Sequence, residues 1–311
     1  MDTLKKLRTL QEAIVYFSNP DNCVAYTVSK RWPNGVTCPN CGSKEVKYMA
    51  SRRVWQCKNR HPKSQFSVKV GSIYEDSAIG LDKWLMATWM INSGKNGASS
   101  YEIHRAIGVT QKSAWFMSHR IRLAMQDEDS NQLSGQVQVD ETFIGGKARN
   151  MHKDVKARRI TGTGGKDKVI VMGMLQRGGK VKAGVIANRN VTTLHGAVIG
   201  SIAAGAEVIT DELPSYRGLD SSYVHNVINH ANEYVKGHIH TNGVENFWSL
   251  LKRGLNGTYV AVRPFHLFRY IDEQVFRYNN RKDIGDGGRF DLCVSQGFGK
   301  RLTYKQLTGK A

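Results

Sequence analysis

Three segments of the chain combine a clear hydrophobic pattern with an acidic residue. Residues 136–139 alternate polar and apolar positions and lead into Asp140, and residues 207–210 form a second strand-like stretch that leads into Asp211. Residues 242–253 have helical spacing, carry Glu245 and end in basic side chains. Since a period of two predicts a strand and a period near 3.6 predicts a helix, we expect two strands and one helix that each present a carboxylate.

The same patterns predict the order of elements in this part of the chain. From Gly135 onward the expected elements are strands leading to Asp140, at 168–175 and at 181–186, a helix at 192–203, the strand leading to Asp211, and helices at 242–253 and 265–276. This α/β order fits the RNase H-like fold, in which the first and fourth strands lie side by side and would bring Asp140 close to Asp211. Alternation sends Glu141 and Glu212 to the opposite side, where we expect solvent or supporting groups.

Asp140, Asp211 and Glu245 have the chemistry of a divalent-metal site. Mg²⁺ prefers about six oxygen ligands and keeps several waters, so a few carboxylates suit it. Two such ions roughly 3.5–4 Å apart assist phosphoryl transfer at the attacking and leaving oxygens. Lys252 follows Glu245 by two helical turns and shares its face, which makes it a candidate phosphate ligand. Either aspartate alone is more commonly a turn or cap residue, and only the combination indicates a site.

The cysteine spacing predicts a zinc site in the first third of the chain. A Cys-x2-Cys turn lets two thiolates bind one tetrahedral Zn²⁺, and a cysteine and a histidine further on would complete the ligand set. The four candidate ligands of one structural Zn²⁺ are Cys38, Cys41, Cys57 and His61. The gap between Cys41 and Cys57 fits a β-hairpin, as in zinc ribbons. The alternative is two unrelated buried thiols and a surface histidine. Cys23 and Cys293 fall outside this spacing and are expected to be buried thiols.

Residues 99–115 read as helix, glycine turn and helix. Ser99 and Thr110 are candidate N-caps, because each precedes a helical pattern and offers a side-chain oxygen to the first turn. The second helix is expected to continue through Arg120 and Arg122. This helix-turn-helix pattern is compatible with a helix that enters a major groove of DNA. The alternative is a helical hairpin that packs against the catalytic domain.

Composition favours a polyanionic partner. The 311 residues carry a formal net charge of +19, which suits DNA or RNA, although ribosomal and membrane-surface proteins share such a balance. A basic stretch at 147–168 is expected to contact phosphate, unless it is simply a solvated loop. Further candidates for the scissile phosphate are His230, His238 and His240. No apolar run approaches the roughly 20 residues of a membrane span, so we expect a cytoplasmic protein with no membrane partner.

Residues 139–146, 209–211 and 240–249 resemble the DDE transposases of bacterial insertion sequences, and most of all the IS1595 (ISXO2-like) family. The N-terminal third resembles that family too. The resemblance implies an active site that binds two Mg²⁺ or Mn²⁺ ions through Asp140, Asp211 and Glu245. The 34 positions between Asp211 and Glu245 match the spacing common in such enzymes. Some relatives use an Asn as the third residue, so Asn242 is an alternative to Glu245, and Lys252 favours the glutamate.

We therefore expect a DNA transposase that binds terminal inverted repeats, cleaves 3′ ends in a metal-dependent reaction and joins them to target DNA. It would act as a homodimer, because two ends must be held together, and would associate with the bacterial nucleoid. The alternatives are a nuclease or resolvase of the same fold that cuts without joining, and a catalytically inactive zinc-ribbon regulator. The expected domains are a zinc-ribbon region at 1–77, a helix-turn-helix region at 78–130, an RNase H-like catalytic domain at 131–285 and a C-terminal tail at 286–311.

Overall fold

The computed structural model describes residues 7–126, 130–146, 152–159, 168–228, 241–282 and 284–309. The chain divides into two compact units. We call the first the terminal unit; it comprises the described residues up to Gln126 and those from Asn280 onward. We call the second the central unit; it comprises the described residues between them.

Eleven α-helices form within the described residues. They are α1 (Leu10–Phe17), α2 (Pro20–Arg31), α3 (Leu81–Ser93), α4 (Ser100–Ile107), α5 (Gln111–Ala124), α6 (Lys153–Arg159), α7 (Val191–Ser201), α8 (Asn242–Gly254), α9 (Leu267–Asn279), α10 (Asp286–Gln296) and α11 (Tyr304–Thr308). None of these described helices is long and apolar enough to cross a membrane.

Eight strands lie in two sheets of the described chain. They are β1 (Val46–Met49), β2 (Val54–Cys57), β3 (Gln65–Phe66), β4 (Gln136–Ile144), β5 (Val169–Gln176), β6 (Val181–Ile186), β7 (Glu207–Asp211) and β8 (Val224–Ile228). The first three form an antiparallel sheet in the terminal unit, in the order β1-β2-β3. The other five form the sheet of the central unit, in the order β6-β5-β4-β7-β8.

Helices from both ends of the chain build the core of the terminal unit. Phe17 of α1 and Tyr26 of α2 pack against Phe290 of α10, and Trp89 of α3 lies 5.0 Å from the Phe290 ring, centroid to centroid. Such aromatic contacts stabilise a core beyond simple burial. The segment that we expected to be a C-terminal tail, 286–311, therefore contributes a packed helix to this unit.

The α4–α5 segment has the predicted caps, and the basic end of α5 is buried. The Ser99 side chain accepts a hydrogen bond from the Glu102 backbone N–H in a capping box, and the Thr110 side chain accepts one from the Ser113 backbone N–H at the start of α5. Gly108 has φ +61°, a conformation that glycine adopts without strain. The basic residues at the far end of α5 are buried: Arg120 is 4% exposed and Arg122 is 2% exposed. The second helix continues through both arginines, as predicted, but their guanidinium groups are not on its exposed face.

The central sheet pairs β4 with β7 in parallel, as the predicted element order requires. The three strands β4, β5 and β6 run antiparallel, and β7 and β8 run parallel. Neither β8 nor the short helix α6 was predicted. Asp140 was expected to close its strand, but β4 continues four residues further, to Ile144.

Helices cover both faces of this sheet. Alternate residues of β5 point to opposite sides, so that Met172 and Met174 join the core beneath α7, whereas Val171 and Leu175 join the core beneath α8 and α9. Both cores consist of buried apolar side chains. The sheet is thus the middle layer of three, and α8 holds Glu245 on one of its faces.

Candidate active site and zinc site

Asp140 and Asp211 come together because their strands are parallel neighbours. The paired residues include Val137 with Val208 and Gln138 with Ile209. The same register, continued by two residues in each strand, sets Asp140 beside Asp211. Asp211 is the last residue of β7, and its Oδ1 accepts a hydrogen bond from the Leu213 backbone N–H at 3.1 Å. Both carboxylates are half-buried.

Trp248 of α8 links the helix to Asp140. Its indole N–H donates a hydrogen bond to Asp140 Oδ2 at 2.9 Å, while the Glu141 backbone N–H donates to Oδ1 at 2.8 Å. The indole ring lies over Gly173, which pairs with Asp140 in the neighbouring strand. A Cβ at Gly173 would stand 2.6 Å from two ring carbons of Trp248. The absence of a side chain at this position therefore allows the indole to reach the carboxylate.

A second glycine brings the start of α8 close to the sheet. A Cβ at Gly243 would lie 2.6 Å from Gln138 Oε1 and 2.7 Å from Leu175 Cδ2. The Gln138 oxygen accepts a hydrogen bond from the Val244 backbone N–H at 3.1 Å. This seating fixes the first turn of α8, where Glu245 is exposed and accepts a hydrogen bond from the Thr241 hydroxyl at 2.9 Å.

The carboxylates of Asp211 and Glu245 interact electrostatically with that of Asp140. Burial raises the pKa of Asp140, and the negative charges of Asp211 and Glu245 raise it further, whereas the hydrogen bonds from Trp248 and from the Glu141 backbone lower it. Carboxylates that raise one another's pKa are destabilised when they are all ionised. Hard oxygen donors with surplus negative charge fit a divalent cation such as Mg²⁺ or Mn²⁺.

Glu141 takes part in the same electrostatic cluster from the other face of the sheet. Burial raises its pKa to about 8, and Asp211 and Asp140 contribute to the rise, while Arg189 opposes it. The Tyr216 hydroxyl donates a hydrogen bond to its Oε1. Alternation correctly sends Glu141 away from the Asp140 face, but the sequence did not predict that Tyr216 would cover it. The exposed Glu212 lies in solvent, as expected.

The structure describes only some of the other predicted site residues. Lys252 and Asn242 are both exposed on α8. The candidate histidines, His230, His238 and His240, lie outside the described residues, as does most of the basic stretch at 147–168.

The four predicted zinc ligands converge. Their ligand atoms all lie within 4.8 Å of one another. Cys41 Sγ is 3.6 Å from Cys57 Sγ, and Cys38 Sγ is 3.5 Å from His61 Nε2. Two sulfurs that each lie about 2.3 Å from a tetrahedral Zn²⁺ would be roughly 3.8 Å apart, so the cluster has the size of a zinc site. The β1–β2 hairpin spans the gap between the two pairs of ligands, as predicted.

Hydrogen bonds around this cluster favour metal binding. The Pro62 carbonyl oxygen lies 2.8 Å from His61 Nδ1, and because it can only accept, Nδ1 carries the proton and Nε2 is left as a ligand. The Ser43 backbone N–H makes the largest contribution to lowering the pKa of Cys41 to about 7, and Cys57, Cys38 and His61 add to it, which favours the thiolate. Gly42, with φ +72°, forms the tight turn after Cys41.

Family profiles match both parts of the chain that carry these sites. The profile of an ISXO2-like transposase domain matches residues 132–279, and that of a transposase zinc-ribbon domain matches residues 18–59. A zinc ribbon together with a transposase domain defines the class of protein as a transposase. The chain belongs to the IS1595 (ISXO2-like) family of DDE transposases.

A relative of the chain also comes from a mobile element. An "Uncharacterized protein in transposable element ISH50" of Halobacterium salinarum is 28% identical over 246 residues, which span 73% of this chain and 80% of the relative. Among solved structures, one chain in the structure of the simian T-cell lymphotropic virus intasome in complex with PP2A regulatory subunit B56 gamma is 15% identical. That alignment covers 62% of this chain and 65% of the other, with a TM-score of 0.29, which is too low to support an argument about fold.

Proposed function

We propose that this protein is an active DNA transposase with an RNase H-like catalytic domain. It would bind the terminal inverted repeats of its insertion sequence, cleave the 3′ ends and join them to target DNA. The observation that carries the proposal is the position of Asp140 and Asp211 on adjacent parallel strands, with Glu245 of α8 close enough to raise the pKa of Asp140. The strand order β6-β5-β4-β7-β8 supports the RNase H-like assignment.

Asp140, Asp211 and Glu245 would hold the divalent cations, two Mg²⁺ or Mn²⁺ ions in the working enzyme. Such ions supply positive charge for the phosphoryl transfer and polarise the reacting oxygens. The contribution of the protein is position and charge. Trp248 fixes one oxygen of Asp140 through its indole N–H, and the backbone N–H of Leu213 fixes one oxygen of Asp211. Preorganised carboxylates of this kind lower the cost of assembling the charged site.

Lys252 would bind a phosphate of the DNA. It is exposed and lies two turns beyond Glu245 on the same helix, so its ammonium group and the Glu245 carboxylate share a face. A lysine acts on a phosphate as a flexible point charge. Its role would be to hold the substrate strand beside the acids rather than to transfer protons.

Glu245 is the preferred third acid over Asn242. The charge of Glu245 acts on Asp140, and the hydroxyl of Thr241 orients the Glu245 side chain. A carboxylate also supplies the negative charge that a neutral amide lacks. Asn242 remains the alternative, and the comparison of variants at both positions decides between them.

The terminal unit would recognise the inverted repeats. Its zinc ribbon, with Zn²⁺ held by Cys38, Cys41, Cys57 and His61, is a structural module, and the α4–α5 segment would act as a helix-turn-helix reader. The domain boundaries at residues 77, 130 and 285 remain predictions. We expect a homodimer in the DNA complex, acting in the cytoplasm at the nucleoid.

A strand-transfer assay tests the proposal. Duplexes with pre-cut ends of the source element are mixed with target DNA and Mg²⁺ or Mn²⁺, and the joined product is measured for the wild type, Asp140→Asn, Glu245→Gln and Asn242→Ala. The first two variants should lose joined product while retaining DNA binding by mobility shift, and Asn242→Ala should transfer strands normally. Asp220→Asn, an exposed acid of the central unit, is the matched control.

The products separate the competing functions. Cleaved ends without joined product would identify a nuclease or resolvase. Specific DNA binding with neither product, and no Mn²⁺ bound to the central unit, would identify a regulator. Normal transfer by Asp140→Asn would contradict the assigned site.

A further inference from the structure

Val260 has a strained backbone and an exposed apolar side chain. Its φ is 58° and its ψ is −55°, a conformation that a β-branched residue rarely adopts. The Ala261 backbone N–H donates to the Tyr259 carbonyl at 2.6 Å, which closes a three-residue γ-turn around Val260. The side chain is 76% exposed, the highest value among the large apolar side chains of the described chain. Val260 therefore combines a strained backbone with an apolar side chain that is exposed to solvent.

The residues on both sides of Val260 hold the turn in place. Tyr259 packs its ring 4.7 Å from that of Tyr270, centroid to centroid, and donates its hydroxyl proton to the fully buried Glu273. Val262 packs against the core beneath α8 and α9. Backbone strain persists only where the surrounding contacts enforce it, and such positions concentrate at functional sites.

The strained turn is continuous with the helix that carries the candidate catalytic residues. After Gly254 the last turn of α8 widens into a π-helix at Leu255–Tyr259, and the Val260 backbone N–H donates to the Leu255 carbonyl at 2.9 Å. Insertions of this kind in α-helices are frequent at functional sites. Continuous helical backbone therefore connects Val260 to Glu245 and Lys252.

A small cavity adjoins Val260. Its volume is about 220 Å³, and the backbone of Gly145 and Gly146 forms part of its wall. The other residues that line it are Phe143, Ile144, Lys252, Leu255, Asn256, Val260 and Val262. The volume is below the roughly 300–1,000 Å³ of ordinary small-molecule pockets, so it suits one planar ring. Lys252 brings a phosphate-binding charge, and the Asn256 amide offers both a donor and an acceptor.

We propose that Val260 is a wedge that enters the DNA stack beside the scissile phosphate, and that the adjoining cavity receives the displaced base. The inference rests on the proposed transposase function and names the part of the DNA that this corner contacts. Apolar side chains inserted at base steps unstack them and bend the duplex. Enzymes that extrude a base bind it in a close-fitting pocket. With Lys252 on the neighbouring phosphate, the displaced base would lie against the apolar wall and beside the Asn256 amide.

Fluorescence of 2-aminopurine tests the inference without requiring catalysis. The base analogue is placed in turn at each position within three nucleotides of the cleavage point, in a duplex of the source element's terminal repeat and its flank. The protein is Asp140→Asn, whose DNA binding is followed by mobility shift. We expect the fluorescence to rise several-fold at one position when the protein binds, because an unstacked 2-aminopurine is no longer quenched. Adding Val260→Ala or Val260→Gly to this protein should remove at least half of the rise.

Two controls separate the wedge from general effects. Val224→Ala removes a comparably exposed valine, 59% exposed, from the same unit and should leave the fluorescence rise intact. Val260→Gly relieves the positive φ, so its unfolding midpoint should equal or exceed that of the wild type. Strand transfer by Val260→Gly should fall about tenfold on an intact duplex and recover to within about threefold when the displaced nucleotide is abasic, since a missing base removes the unstacking cost.

The outcomes are distinct from those of the transposase assay. No fluorescence rise at any position in the bound duplex would overturn the wedge, and so would a rise that persists in both Val260 variants. In either case, strand transfer by the wild type would leave the proposed function standing. Failure of the wild type to join any DNA would instead overturn the proposed function, whereas the fluorescence of the bound duplex is read independently of chemistry.

Discussion

The indole N–H of Trp248 donates a hydrogen bond to Oδ2 of Asp140 at 2.9 Å, so a helix and the central strand of the sheet meet at one carboxylate. The contact joins the core to the site, because the same indole packs over Gly173 and is only 4% exposed. Asp140 is thereby held in one orientation before any substrate arrives. The first two predictions test the two sides of this contact.

Trp248→Phe should lower the rate of strand transfer about 10- to 100-fold. A hydrogen bond to a charged group contributes about 1.5–3 kcal/mol, and phenylalanine removes the donor while keeping most of the apolar surface. The measurement is single-turnover transfer at saturating Mg²⁺. Phe247→Leu is the control, because Phe247 is also buried on α8 and packs on both Trp248 and Tyr278, but its side chain has no donor for Asp140. It should lose stability without a comparable loss of rate. Equal rates for Trp248→Phe and the wild type would show that the hydrogen bond does not contribute to catalysis.

Gly173→Ala should destabilise the protein by about 1–3 kcal/mol, as overpacked cores do. The new Cβ would stand 2.6 Å from the Trp248 ring, which must then shift away from Asp140. Urea unfolding gives the free-energy change. Gly184→Ala, in the neighbouring strand β6, adds a methyl group with no heavy atom within 4 Å and should be nearly neutral. If the two alanine variants unfold at the same urea concentration, the proposed steric conflict is absent.

This seating of α8 marks a limit of prediction from sequence. Alternation and helical spacing correctly predicted the two strands that lead to Asp140 and Asp211 and the helix that carries Glu245, because those patterns are local. The pairing of the two strands was predicted from the order of elements, which fits the RNase H-like fold. The close approach of α8 to the sheet depends on Gly173 and Gly243, which lie on different elements, and their partners, Trp248 and Leu175, are known only after folding. The sequence therefore indicated the acids but not the contacts that orient them.

Burial accounts for the other differences between the sequence predictions and the structure. The sequence predicted that Arg120 and Arg122 lie on the second helix of a helix-turn-helix pattern, but not that they are buried. In the structure both are buried, and Arg120 Nε donates to the Leu302 carbonyl at 2.9 Å. Leu302 is 182 residues away in sequence, beyond the reach of any helical pattern. Glu141 became half-buried for a similar reason, since the Tyr216 hydroxyl approaches it from a short helical turn 75 residues later.

Glu141→Gln should flatten the pH dependence of stability measured in EDTA. The pKa of Glu141 is raised from an ordinary 4.5 to about 8. Between these values the folded protein keeps a proton that the unfolded chain has released, so the free energy of unfolding falls as the pH rises. The variant lacks this titration. The difference in unfolding free energy between the wild type and the variant should therefore change by about 1–2 kcal/mol between the two pKa values, since the group is only half-buried.

Urea unfolding at intervals between pH 4.5 and pH 8 measures the effect of Glu141→Gln. Glu212→Gln is the matched control, because Glu212 is exposed and its replacement should leave the slope unchanged. Parallel curves for the wild type and Glu141→Gln would mean that Glu141 titrates as an ordinary surface carboxyl.

The purified protein should contain one zinc ion per chain, and Cys57→Ser should lose it. Removing one thiolate from a closed tetrahedral site lowers metal affinity and unfolds small zinc modules. Atomic emission gives the stoichiometry, and near-ultraviolet circular dichroism should report the environment of Trp55, which packs in the same core. Cys23→Ser, at a buried thiol outside the cluster, should keep the metal. Zinc retained at full stoichiometry by Cys57→Ser would exclude this ligand set.

The exposed first turn of α5, rather than its buried end, should contact DNA. In helix-turn-helix proteins the N-terminal residues of the second helix reach the bases, and Lys112 is the exposed cation there. Lys112→Ala should weaken binding to the terminal repeat, and if the lysine contacts a phosphate the slope of log K against log salt should decrease by about one.

Arg120→Met is the control. It should destabilise the terminal unit by about 1–3 kcal/mol, because it leaves the Leu302 carbonyl without its donor, yet the salt slope should not change. Titrations from 50 to 200 mM salt, a range in which phosphate contacts dominate the loss of affinity, measure both. A reduced slope for Arg120→Met with an unchanged one for Lys112→Ala would reverse the assignment and require α5 to expose its far end when it binds DNA.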